Sequence, residues 1–207
     1  MLIGNLHRSN VIILVGLFFA AVGIGFAYFG ETQYVLVSLM VASIANLFVP
    51  SFATMFEMNR AEAAFAKELE VLSSFAIFGL LPGVYMMTVA KANPLSLIVF
   101  ALYMLAVAIR MANFNRASEF HDVVPENQTL GLPVEYSAVV LPLISLLGFL
   151  IPLGVFQYIL MFVLVGLGLS FVLKISLPKL PSQFLLGLVG IQFILSIVWI
   201  LLGNYIK

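Results

Sequence analysis

Long apolar runs separated by short polar segments constrain this chain more than any other feature. A transmembrane helix needs about 20 predominantly apolar residues, because the hydrocarbon core of a bilayer is about 30 Å thick. Seven runs approach that length: Val11–Phe29, Tyr34–Phe56, Val71–Ala90, Pro94–Asn113, Tyr136–Pro152, Val155–Leu173 and Phe184–Leu202. The sequence therefore predicts an all-α fold, a polytopic integral membrane bundle of about seven transmembrane helices, with residues 1–207 in one domain.

Composition supports a membrane protein and excludes several other classes. Hydrophobic residues make up 63% of the chain and charged residues 9%, whereas soluble domains have about 45–50% and about 25%. A formal net charge of zero gives no electrostatic basis for binding nucleic acid. The absence of cysteine excludes disulfides and thiolate metal sites. The first apolar run is too long for the core of a signal peptide, so we expect a retained span.

The positions of lysine and arginine predict how the bundle is oriented. With a cytoplasmic N-terminus, seven of the nine basic residues lie on the cytoplasmic side: Arg8, Arg60, Lys67, Arg110, Arg116, Lys174 and Lys179. Only Lys91 and Lys207 lie outside. Cytoplasmic loops carry an excess of basic residues. We therefore expect a cytoplasmic N-terminus, a site that faces the cytoplasm, and a location in the cell membrane of a prokaryote.

A polar segment precedes the third apolar run. Asn59 followed by Glu62 has the spacing of a helix capping box. This spacing predicts a short cytoplasmic surface helix near residues 59–70 that leads into the third span. Two further polar segments, residues 110–135 and 174–182, follow the fourth and sixth spans and should meet it at the same membrane face.

Four segments of the sequence together resemble one enzyme family. FAKELEVLSSFAIFGLLP (65–82), AIRMANFN (108–115), GLPVEYSA (131–138) and LPKLP (177–181) occur in the order and at about the spacing of its motifs. The chain resembles the CDP-alcohol phosphatidyltransferases, and most closely their phosphatidylserine synthase branch, the CDP-diacylglycerol–serine O-phosphatidyltransferases. The resemblance implies a helical bundle in which a cavity opens to the cytoplasm and the inner leaflet.

The catalytic positions of that family are altered in this chain. In the family, four aspartates hold metal ions that bind the diphosphate of a CDP-linked lipid, and the fourth activates the attacking alcohol. An ungapped match puts these aspartates at Val49, Phe52, Glu70 and Ser74. Valine and phenylalanine cannot ligate a hard cation, which prefers several oxygen ligands. The resemblance therefore implies a catalytically impaired pseudoenzyme without a cofactor, in which Glu70 is at most one weak metal ligand.

Three basic residues match basic positions of the family. Lys67, Arg110 and Lys179 are candidates for contacts with a phosphate or a lipid headgroup, and the planar guanidinium of arginine suits phosphate. The competing interpretation is that all three anchor the chain at the membrane interface. As partners we expect a membrane phospholipid and either a second copy of the chain, as in homodimers of the family, or an active homologue.

Two other hypotheses remain open. The chain is an active phosphatidyltransferase of phospholipid biosynthesis if Glu57, Glu70 and Glu135 form a rebuilt site for Mg²⁺ or Mn²⁺, although each is otherwise an ordinary interfacial carboxylate. A small transporter is the third hypothesis. It has less support, because the spans hold few charges near their centres and no pair of broken helices indicates an inverted repeat.

Overall fold

The computed structural model is a helical bundle and describes residues 6–120, 128–178 and 182–203. Its helices are α1 (Val11–Tyr28), α2 (Thr32–Leu47), α3 (Val49–Ala53), α4 (Arg60–Phe75), α5 (Leu81–Val89), α6 (Pro94–Phe120), α7 (Ser137–Ser145), α8 (Leu153–Val172) and α9 (Ser182–Leu202). Strands β1 (Gln128–Leu130) and β2 (Ser176–Pro178) form one antiparallel pair. The predicted helical class is confirmed, and the small strand pair is an addition to it.

The lengths of the helices indicate a membrane protein. Within the described residues, four helical segments are long and apolar enough to cross a bilayer: Arg8–Tyr28, Arg60–Val89, Pro94–Asn113 and Leu153–Val172. Three more apolar helices, Thr32–Leu47, Val134–Phe149 and Leu186–Leu202, have only 10–17 residues. Every predicted run is therefore largely helical, whereas a count of seven crossings stays a prediction.

The second predicted run, Tyr34–Phe56, does not form one helix. Helix α2 ends at Leu47, and a separate short helix, α3, starts at Val49. Pro50 occupies the first turn of α3. Proline has no N–H and its ring obstructs the preceding turn, so it is tolerated at the start of a helix but not inside one. The prediction overlooked Pro50 because the hydrophobicity of the run continues through it.

The third run begins earlier than predicted. Helix α4, a π-helical segment (Ala76–Leu80) and α5 form a continuous helical stretch from Arg60 to Val89. At 1.5 Å per residue its length is about 45 Å, which exceeds the roughly 30 Å of bilayer hydrocarbon. The segment near residues 59–70 is helical, as predicted, and runs without a break into the third span; its location at the membrane surface stays a prediction. The predicted capping box is confirmed: Glu62 N donates to Asn59 Oδ1 over 2.9 Å, and Asn59 N donates to Glu62 Oε2 over 3.0 Å.

The π-helical segment follows from Pro82. Proline cannot donate to the carbonyl four residues before it, here that of Phe78. The helix widens at this point, and Leu81 N donates to Ala76 O instead. The hydroxyl of Tyr103 on α6 donates to Phe78 O over 2.7 Å. A polar group that the proline leaves free inside the bundle is therefore satisfied by a neighbouring helix, as apolar surroundings require.

Helix α2 lies at the centre of the bundle. Its buried residues face several sides, and they include Val35, Leu36, Leu39 and Met40. Gly23 allows α1 to approach α2 and α5 closely: a Cβ added at Gly23 would lie 2.8 Å from both Ser38 Cβ and Leu81 Cδ1.

Three buried hydrogen bonds between side chains and neighbouring helices also hold the bundle together. Gln192 Nε2 donates to Ser43 Oγ over 3.1 Å, Trp199 Nε1 to Pro142 O over 3.2 Å, and Tyr85 OH to Ser145 Oγ over 2.7 Å.

We predict that Tyr103→Phe destabilises the bundle by roughly 1–2 kcal/mol, because it leaves the buried Phe78 carbonyl without its donor. Thermal unfolding in detergent measures the change. Tyr158→Phe is the matched control, since the Tyr158 side chain is 58% exposed and should lose little with its hydroxyl. Equal effects of the two substitutions would contradict the role assigned to Tyr103.

Candidate functional site

The segments that hold the candidate residues gather at one end of the bundle. Ser9 Oγ, just before α1, donates to Met58 Sδ, just before α4, over 3.1 Å. At the same end, the loop after β1 contacts the end of α8, where Leu132 N donates to Ser170 O over 3.0 Å. We call this region the polar end. It contains the site positions predicted from the sequence, except that Lys179 lies outside the described residues.

The side chain of Ser74, which the sequence resemblance matches to the fourth aspartate, contacts another helix. The Ser74 hydroxyl donates to Asn46 Oδ1 on α2 over 3.2 Å, and both side chains are buried. The adjacent Ser73 hydroxyl donates to Ile13 O on α1 over 3.3 Å. Through these hydrogen bonds, the two serines connect α4 to α1 and α2. Their hydroxyls are thus engaged in helix packing.

Val49 and Phe52, which the sequence resemblance matches to the first two aspartates, lie on α3 in apolar surroundings. Val49 is buried and belongs to the packed interior. Phe52 is partly buried, and its ring lies 5.3 Å, centroid to centroid, from that of Phe56. The Phe56 ring in turn contacts His7 edge to face at 5.8 Å. Aromatic and aliphatic packing therefore occupies the stripe on which the family would carry carboxylates.

Glu135 lies near enough to two other charged residues at the polar end to influence them electrostatically. Glu70 on α4 interacts electrostatically with Glu135, which precedes α7. Glu135 also interacts with Arg110 on α6. Arg110 is buried, with 7% of its surface exposed, and its Nη2 lies 3.5 Å from the carbonyl oxygen of Gly131, to which it donates. We call Glu70, Arg110 and Glu135 the charged cluster.

Glu135 is partly buried and lies outside the four long helices, and this position affects the pKa of its carboxyl group. Burial raises the pKa of the Glu135 carboxyl, while a hydrogen bond from its own backbone N–H and the nearby Arg110 guanidinium lower it. Burial disfavours a charged carboxylate, and an opposite charge favours it. The guanidinium thus offsets part of the desolvation that the Glu135 carboxylate undergoes.

Gly131 shapes the loop that supports the cluster. Its φ of +70° lies in the left-handed region, and a Cβ there would lie 2.8 Å from Phe171 O and 3.0 Å from Leu173 O. Gly131 N donates to Ile175 O over 2.7 Å. Only glycine can make this close approach without strain. The loop satisfies carbonyls at the C-terminal end of α8, which a helix end otherwise leaves without donors.

Two other predicted site residues, Glu57 and Lys67, differ in their exposure. Glu57 is exposed after α3, and Lys67 is partly buried on α4. Among the described residues, no group of three or more His, Asp or Glu side chains could hold a metal ion. The structure therefore does not assemble Glu57, Glu70 and Glu135 into a three-carboxylate site. It brings together only Glu70 and Glu135.

Sequence reasoning missed two residues that organise the region. Asn46 is a polar residue inside an apolar run, a signal that could have marked it as a helix-to-helix contact. Gly131 begins the segment GLPVEYSA, but nothing in the sequence except the glycine itself indicates that its φ is positive. The pairing of Arg110 with Glu135 also went unrecognised, although both residues were candidates.

No family model and no curated protein matches this chain.

We predict that Gly131→Ala destabilises the protein by at least about 1–2 kcal/mol, because alanine disfavours positive φ and its Cβ would meet backbone oxygens. Thermal unfolding in detergent is the measurement. Gly154→Ala on α8 is the control, since a Cβ at Gly154 meets nothing within 4 Å. A Gly131→Ala protein as stable as the control would contradict the described loop conformation.

Proposed function

We propose that this protein is a phosphatidylserine-synthase-like membrane protein that has lost its reaction, a pseudoenzyme on the phosphatidyltransferase scaffold. The proposal rests on one observation: most of the positions matched to the family's metal-binding aspartates are occupied by side chains that pack within the bundle. Val49 is buried in the apolar interior, and the Ser74 hydroxyl bonds to Asn46. Phe52 is packed beside Phe56. Of the four positions, Glu70 alone carries a carboxylate.

The family reaction needs more than one carboxylate. Metal ions stabilise the charge that develops on the leaving group, and a positioned base takes the proton of the attacking hydroxyl. Loss of the base lowers a rate by about 10² to 10⁴. Loss of the metal removes several further kcal/mol of stabilisation, and each 1.36 kcal/mol is about tenfold in rate. Glu70 cannot supply both functions, so we infer that turnover is lost.

The scaffold has two roles that need no turnover. One is binding a membrane phospholipid or another anion at the polar end, for which Lys67, Arg110 and Lys179 are the basic candidates from the sequence. The other is pairing, either with a second copy or with an active homologue. We place the protein in the cell membrane of a prokaryote, with the polar end facing the cytoplasm.

One observation favours the active alternative. Glu70 and Glu135 lie close enough to interact, and two carboxylates can contribute to a site for Mg²⁺ or Mn²⁺. Exposed Glu57 is not part of that pair. An active enzyme would therefore need further ligands from its substrate.

We predict that the purified protein releases no CMP above a blank when it is given CDP-diacylglycerol, serine and Mg²⁺ or Mn²⁺. A variant with Asp at positions 49, 52, 70 and 74 and Gly at positions 53 and 66 should be the first to show turnover, since the carboxylates act as a unit. Each single restoration should stay inactive. Steady CMP release by the unaltered protein, abolished by Glu70→Gln, would establish the active alternative.

The orientation is testable because the chain has no cysteine. We predict that Ala92→Cys, between α5 and α6, reacts with a membrane-impermeant maleimide added to intact cells. Ala61→Cys, in the first turn of α4, should react only after permeabilisation. Both alanines are exposed, so the two substitutions are well matched. The reverse labelling pattern would contradict a cytoplasmic polar end.

A further inference from the structure

Helices α2 and α9 meet across a face that contains buried polar side chains. On α9, Gln192, Ser196 and Trp199 are all buried. They are four and then three residues apart, so they lie on one side of the helix. On α2, the fully buried Ser43 contacts Gln192. We call Gln192 and Ser43 the amide site. Polar groups inside such a bundle need hydrogen-bond partners, because apolar surroundings offer none.

The side-chain amide of Gln192 is bonded at one end only. Its Nε2 donates to Ser43 Oγ over 3.1 Å. Its Oε1 is buried and accepts no hydrogen bond from the part of the chain that the structure describes. Because the whole residue is 0% exposed, bulk solvent does not reach this oxygen. A buried acceptor without a donor is disfavoured, so we expect a bound molecule to donate to it.

The surrounding groups define the chemistry of that molecule. The Ser43 hydroxyl accepts from Gln192 and still has its own hydrogen to donate. The Ser196 hydroxyl is engaged, since it donates to the backbone carbonyl of Gln192 over 2.8 Å and lies 3.7 Å from Met40 Sδ. All four of these side chains are uncharged, so none of them would balance the charge of an ion. The molecule is therefore neutral, and it both donates and accepts hydrogen bonds.

Water meets these requirements. It has two hydrogens and two lone pairs, and buried waters in proteins bond to polar groups that otherwise lack partners. A site that is closed to solvent between two packed helices also favours the smallest neutral molecule.

We propose that the amide site binds one internal water molecule, which donates to Gln192 Oε1 and accepts from the Ser43 hydroxyl. The water joins α2 to α9 in addition to the direct bond between Gln192 and Ser43. This proposal is independent of the phosphatidyltransferase resemblance, and it holds whether or not the protein has a reaction.

Crystals of the unaltered protein, at a resolution that shows ordered water, test the proposal directly. We expect a density peak within about 2.5–3.0 Å of both Gln192 Oε1 and Ser43 Oγ. Gln192→Met, which keeps the length of the side chain but has no amide, should lose the peak. Gln157→Met on α8, where Gln157 is partly buried, is the control and should keep it. No peak beside ordered Gln192 and Ser43, or a reversed amide whose two ends both bond to protein atoms, would overturn the proposal.

A second measurement, in lipid bilayers, does not depend on the folding of Gln192→Met. The chain has five glutamines, so isotope labelling of their side-chain nitrogens gives few signals in solid-state NMR. Magnetisation that starts on water should reach the Gln192 amide at short mixing times, although the residue is buried. Ser43→Ala, which removes one partner of the water, should abolish this rapid transfer and shift the Gln192 signal, which also identifies it. Slow transfer to Gln192 in the unaltered protein, or rapid transfer that Ser43→Ala leaves unchanged, would overturn the proposal.

Discussion

A hydrogen bond from Arg110 on α6 to the Gly131 carbonyl joins that helix to the loop that covers the end of α8. Arg110 is on α6, Glu135 begins the segment that leads into α7, and the Gly131 carbonyl between them accepts a hydrogen bond from Arg110. The same loop covers carbonyls at the end of α8. A charge in such surroundings must have a partner, because an isolated buried charge is strongly disfavoured. Here the Gly131 carbonyl accepts a hydrogen bond from the Arg110 guanidinium, and the Glu135 carboxylate lies near enough to influence that charge electrostatically.

The same principle governs the remainder of the polar interior. Pro82 frees the Phe78 carbonyl, and Tyr103 donates to it. Ser74 and Asn46 satisfy each other across two helices. Where a ligand-binding protein would leave donors and acceptors directed at a cavity, this chain uses them between helices. The hydroxyl of Ser74 is thus part of the packing between α4 and α2.

The sequence was sufficient for the features that depend on local chemistry. Hydrophobic runs located the helices, and the spacing of Asn59 and Glu62 predicted the capping box. The two prolines could have predicted the break at Pro50 and the π-helical segment before Pro82. A prediction based on hydrophobicity alone misses both, because the apolar runs continue through the prolines. The charged cluster was beyond such reasoning, because Glu70, Arg110 and Glu135 are far apart in sequence and only tertiary packing decides which charges meet. The same holds for the bond between Asn46 and Ser74, residues 28 apart.

The central claim is that this scaffold binds no catalytic metal, and crystals of the unaltered protein grown with Mn²⁺ test it most directly. Anomalous scattering from manganese locates each bound ion without assumptions about activity. The account predicts no ordered manganese between α3 and α4 or beside Glu70. Two well-ordered ions in that position, with oxygen ligands at about 2.0–2.6 Å that include the Glu70 carboxylate, would contradict it.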